Sequence, residues 1–135
     1  MLSTFVLCFF SFTHDGISYN YTRPIKYISS CELDLNDDDK SDIAFLAEIK
    51  EGTKLFILVN NKHNYITYVI PTGNNMILSC HYGDTVTETL AGKGKKEKPK
   101  MYKTPGTYLS LAYPEGPAAA YFWNGKGFTE VWIAD

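Results

Sequence analysis

Apolar and polar residues alternate along most of this chain in short runs, bounded by turn residues, and the runs are rich in β-branched and aromatic side chains. That is the signature of strands. The pattern predicts strands over residues 43–50 and 54–59, on either side of the hairpin signal Glu51-Gly52-Thr53. Further strands are expected at 65–70, after the polar turn 60–64, and at 76–82, after Pro71-Thr72-Gly73-Asn74-Asn75. The last three runs, 108–113, 118–123 and 128–133, include a pair joined across Asn124-Gly125, the strongest short hairpin signal. A helical period appears only weakly, at 84–91. Six or seven strands at these spacings predict a mainly all-β fold: an antiparallel meander that forms a sandwich, a strongly curved sheet or a partly open barrel.

Between two of the apolar runs lies Asp34-Leu35-Asn36-Asp37-Asp38-Asp39-Lys40-Ser41-Asp42. Oxygen-bearing side chains fall at positions 1, 3, 5 and 9 of this loop. Calcium takes six to eight oxygen ligands at about 2.3–2.6 Å. Asp34, Asn36, Asp38 and Asp42 are the candidate side-chain ligands, with the main-chain carbonyl of Lys40 at position 7 as a fifth. Without a cation, these five aspartates repel one another with one lysine to offset them; the competing reading is a solvated acidic turn capped by its own Asx hydrogen bonds. The loop is not an EF-hand: Phe45 stands where the closing Glu is needed, and Asp39 where the Gly is needed. Asp39 must therefore take the left-handed turn itself, which Asp tolerates.

The segment from Cys31 to Ala44 resembles the D-x-N-x-D-G-x-x-D-I/L calcium loop of FG-GAP/VCBS-type repeats, with Asp39 in place of the glycine. The closing stretch from Tyr121 to Asp135 is similar to the ending of small exported bacterial proteins with one such loop. The resemblance implies a bound calcium ion and an exported protein. With a single copy of the loop, it does not imply a propeller.

At 135 residues, 44% apolar and 15% aromatic, the chain is long enough to bury a sizeable core in one domain. The expected division is a signal peptide or its remnant over 1–13 and a single β-rich domain over 14–135. The first thirteen residues carry no charge and hold an apolar stretch too short to span a bilayer, so no transmembrane segment is expected. They match a signal-peptide core in length and lack its basic start, and a buried first strand is the alternative. Of the three cysteines, loss of Cys8 with a leader leaves the pair Cys31 and Cys80. These two are a candidate disulfide in an oxidising compartment, or else two separate buried thiols.

A formal net charge of −2 argues against general nucleic-acid binding, which needs a basic surface. The one basic stretch is 92–100, with five lysines and two glycines, which reads as a long surface loop. Lys95 and Lys96 are candidates there for contact with an acidic partner. Alternation also places Tyr121 and Trp123 on one face of the last hairpin and Phe122 on the other. Tyr121, Trp123 and Trp132 are thus the aromatic candidates for a protein-binding patch.

Catalytic patterns are thin. Cys80 and His81 are adjacent and point to opposite faces of a strand. His14, His63 and His81 show no zinc-ligand spacing, and Glu32 paired with Asp34 or Asp42 is better explained by the cation than as a glycosidase pair. Three readings follow: an exported calcium-binding module that works by binding another protein, a periplasmic inhibitor or immunity protein that blocks a secreted enzyme, and, last, a metal-assisted hydrolase.

Overall fold

A computed structural model describes residues 26–90 and 98–135 in full and, before residue 26, the backbone pairing of 5–7, 10–14, 17–21 and 24–25. Eleven strands run along these residues: β1 (Phe5–Leu7), β2 (Phe10–His14), β3 (Ile17–Tyr21), β4 (Pro24–Leu33), β5 (Asp42–Ile49), β6 (Gly52–Asn60), β7 (Tyr65–Pro71), β8 (Ile77–Thr87), β9 (Met101–Ala112), β10 (Ala118–Trp123) and β11 (Phe128–Ala134). The fold is all-β, and neither main sheet closes into a barrel. The chain divides into two compact units. Met1–Glu32 with Lys40–Asn74 form the first, and Leu33–Asp39 with Asn75–Asp135 form the second.

The first unit holds a five-stranded sheet in the order β1-β4-β5-β6-β7, and the β2–β3 hairpin. Segments of the expected leader pair here as strands, β1 with β4 and β2 with β3. Cys8 lies outside the described residues. β5 and β6 pair from Ile43↔Leu58 to Ile49↔Gly52, closing at the turn the sequence marks. Gly52 has φ 111°, a backbone that L side chains rarely adopt, which is why glycine follows Glu51. Phe45 stacks on Phe56 with ring centroids 4.9 Å apart, and Ala47 and Ile49 are buried with them. On the opposite face Ala44, Leu46, Leu55 and Ile57 are also buried.

The second unit holds a four-stranded antiparallel sheet in the order β11-β10-β9-β8. In a flat sheet of four strands the two outer ones lie about 14 Å apart. Here β8 and β11 meet, and Thr89 N donates to Trp132 O at 2.7 Å. The sheet is therefore strongly curved, as one of the expected architectures has it. Val86, Ala120, Phe122 and Val131 form the core inside the curve.

Residues 84–87, where a weak helical period is expected, extend β8 instead. They pair with the start of β9 through Thr85↔Lys103, Val86↔Tyr102 and Thr87↔Met101, beyond a register shift between Gly83 and Thr85. That irregularity breaks the alternation and hides the strand. The hairpin at Asn124-Gly125 forms with a four-residue loop: Trp123 pairs with Phe128, and Asn124 Oδ1 accepts from Lys126 N at 2.9 Å and Gly127 N at 3.0 Å.

Candidate metal site and partner surface

The acidic loop leaves β4 with Leu33 and Leu35 buried, which anchors its first turn. Thr107 of β9 fixes its start by donating its hydroxyl to Asp34 O at 2.6 Å. The Asp34 carboxylate then turns back over the loop and accepts from Asp38 N at 3.2 Å and Asp39 N at 2.7 Å. Asp37 and Asp39 take left-handed backbone conformations, φ 57° and 62°. Asp39 thus takes the left-handed turn expected of it, at some conformational cost.

Asn36 donates from Nδ2 to Asp38 Oδ2 at 3.3 Å. Its other side-chain atom, Oδ1, is buried and has no hydrogen-bond partner. Leaving a buried acceptor unmet costs about 1–3 kcal/mol. The structure thus brings Asp34, Asn36 and Asp38 together. Lys40 and Asp42 belong to the other unit; Asp42 is fully buried and its Oδ1 accepts from Asn60 N at 2.8 Å.

Among the described residues no three His, Cys, Asp or Glu side chains form a group that holds a metal ion. The loop's own donor set is two carboxylates, one amide oxygen and main-chain carbonyls. Such oxygens suit a hard cation, not zinc or copper.

Cys31 on β4 and Cys80 on β8 are both disulfide-bonded. His81, beside Cys80, makes a contact that the sequence does not reveal. Its Nε2 lies 2.7 Å from Ser110 Oγ on β9, and its ring stacks on Tyr108 at 4.8 Å. A serine and an imidazole at that distance resemble the first half of a nucleophile–base pair. Among the described residues no carboxylate bonds the imidazole to orient it, so what the pair visibly does is tie β8 to β9.

The candidate partner residues part company. Lys95 and Lys96 lie outside the described residues. Tyr121 is 5% exposed, because both faces of the last hairpin are covered where it starts; it is a core residue and offers no surface. Trp123 is half-buried with its ring edge-on to Phe128. Trp132 is 46% exposed and keeps its place as a surface ring.

The Tyr121 hydroxyl donates to Glu130 Oε2 at 2.6 Å. Burial, then the hydrogen bond and negative charge of Glu130, hold its ionisation well above the ordinary value of 10. In the unfolded chain Tyr121 releases its proton near pH 10, while in the folded chain it keeps it. Its contribution is therefore complete below pH 10 and is lost as pH rises beyond. Chemical denaturation between pH 8 and 11 is expected to show stability falling above pH 10, with a shallower fall in Tyr121→Phe. An identical slope in the two proteins sinks this account.

Compared with protein-family models, with curated proteins and with solved structures, the chain matches none.

Proposed function

We propose that this chain is an exported calcium-binding β-protein that works as a non-catalytic binding module for another protein. The observation that carries the calcium assignment is the buried Asn36 Oδ1 with no hydrogen-bond partner, in a loop where Asp34 and Asp38 supply carboxylates at positions 1 and 5. A cation held there gives that oxygen the partner it lacks. Asp34, Asn36 and Asp38 would hold the ion; Lys40 and Asp42, the other two candidates, follow at positions 7 and 9 of the loop. The ion supplies no chemistry beyond neutralising and stiffening an acidic turn. The FG-GAP/VCBS-like spacing of the loop supports the same reading.

Export rests on the disulfide. Structural disulfides persist in oxidising compartments, and Cys31 and Cys80 are both oxidised. Among the described residues no helix is long and apolar enough to cross a membrane. A periplasmic or secreted location in a bacterium accommodates these facts. The inhibitor or immunity reading is a narrower form of the same proposal, in which the bound protein is an enzyme, and the exposed Trp132 favours it as a contact residue.

Asn36→Leu separates the calcium reading from the solvated-turn reading by sign. In chelator the variant replaces an unmet buried acceptor by an apolar group of similar size, so stability should hold steady or rise, by up to about 1 kcal/mol. In calcium the same variant should lose the stabilisation that the parent gains. A full calcium response in Asn36→Leu, measured by thermal melting, removes Asn36 from the site.

A further inference from the structure

The second unit carries a cleft of about 660 Å³ beside the exposed indole of Trp132, lined also by Tyr102, Tyr113, Glu88, Glu130 and Asp135. That volume falls in the range of sites for small organic groups, about 300–1,000 Å³. Its walls are aromatic and its charged groups are mainly acidic. Glu130 accepts the Tyr121 hydroxyl, and Asp135 accepts the hydroxyl of Thr89; among the described residues neither carboxylate has a cationic partner. Glu88 receives the main-chain N–H of Lys100 at 3.1 Å. The Lys100 ammonium lies 4.8 Å from the centre of the Tyr102 ring. Among the described residues Glu130 and Asp135 thus give the cleft two carboxylates without a cationic partner, and one of its rings already receives a cation.

We propose that this cleft binds a basic side chain, lysine or arginine, presented by a partner protein. Aromatic faces carry negative charge density and attract ammonium and guanidinium groups, most strongly where water is displaced. Such a side chain is apolar along its stem and charged at its tip, which matches aromatic walls bounded by carboxylates. A hydrated metal ion finds no use for the rings. A free amine is the weaker candidate, because Trp132 at 46% and Tyr113 at 37% exposure extend the aromatic surface beyond what a small cation covers. Tyr, Trp and Arg are also the residues on which protein interfaces concentrate their energy. This assignment rests on the binding-module reading and gives that module the chemistry of its partner.

The probe is acetyl-Gly-Lys-Gly-amide, titrated into the full chain in calcium and, separately, in chelator, with the Trp132 indole N–H followed by NMR. Its norleucine counterpart and n-butylammonium chloride are the comparison ligands. The lysine peptide is expected to shift the Trp132 signal saturably, about fivefold or more tightly than the norleucine peptide. It should also bind more tightly than n-butylammonium. Glu130→Gln and Asp135→Asn should each weaken the peptide about two- to fivefold with melting temperature unchanged, since each amide oxygen still accepts its hydroxyl. Lys100→Met should tighten it, by removing the cation that already lies on Tyr102.

Equal binding of the norleucine peptide overturns the proposal, as do shifts confined to residues away from the cleft. Equal binding of n-butylammonium overturns the commitment to a protein side chain in favour of a free amine. A flat peptide titration alongside an intact calcium-induced rise in melting temperature overturns the cleft assignment and leaves the calcium site standing. Peptide binding with no calcium response does the reverse.

Discussion

Saturating calcium is expected to raise the melting temperature of this protein by about 10 °C, and Asp34→Ala to abolish the rise. A ligand at about 100 times its Kd stabilises the folded state by about 2.7 kcal/mol, and in a chain of this size each kcal/mol is worth about 3–5 °C. Asp34 is the residue to change first, because its carboxylate has two tasks. It stands at position 1 of the loop and also accepts from Asp38 N and Asp39 N. Asp34→Ala should therefore cost about 1–2 kcal/mol even in chelator, through the two main-chain donors left without it. Asp38→Ala should lose the calcium response as well, since its carboxylate stands at position 5 of the loop. Scanning calorimetry of the three proteins with and without calcium gives both numbers. A calcium-dependent rise of full size in Asp34→Ala refutes its place in the site.

The second large effect concerns the disulfide. The double variant Cys31→Ser, Cys80→Ser is expected to lose about 2–4 kcal/mol, chiefly because the unfolded chain regains freedom that a closed loop of about fifty residues denies it. Urea denaturation of oxidised protein, reduced protein and the double variant should place the last two together, well below the first. Denatured protein from a periplasmic fraction should show no titratable thiol at either position. Coincident curves for all three proteins, or two free thiols in native material, contradict a structural disulfide and with it the main support for export.

Much of the fold was legible because strands with alternating or continuous apolar runs announce themselves. β5, β6, β7, β10 and β11 fall close to the expected segments, and the turns at Gly52 and Gly125 sit where the glycines mark them. The start of β9 was not legible. Met101-Tyr102-Lys103-Thr104-Pro105-Gly106 lies between the basic stretch and the expected strand at 108–113, yet it pairs with the far end of β8, and Thr104 donates its hydroxyl to Gly83 O across the irregular register. Strand extension there is decided by the partner strand and not by local propensity.

The candidate sites divide in the same way. Asp34, Asn36, Asp38 and the left-handed turn at Asp39 follow from spacing alone, because a loop of nine residues encodes its own geometry. Alternation put Tyr121 and Trp123 together on one face but did not say which face meets solvent, and Tyr121 turns out to be core. The division of the chain inside the acidic loop, between Asp39 and Lys40, depends on long-range pairing. The same holds for the His81–Ser110 contact and for the cleft around Trp132, whose walls are contributed by segments more than forty residues apart in sequence.

That the acidic loop binds calcium is tested most directly by isothermal titration of the calcium-depleted protein. One calcium ion per chain is expected, with a Kd between about 10⁻⁵ and 10⁻³ M, from the weak end of sensor sites to extracellular modules. Magnesium should bind poorly because it demands tighter octahedral geometry, and Asp38→Ala should give no heat. Absence of binding to the parent protein at millimolar calcium, or binding of the same affinity in Asp38→Ala, contradicts the assignment.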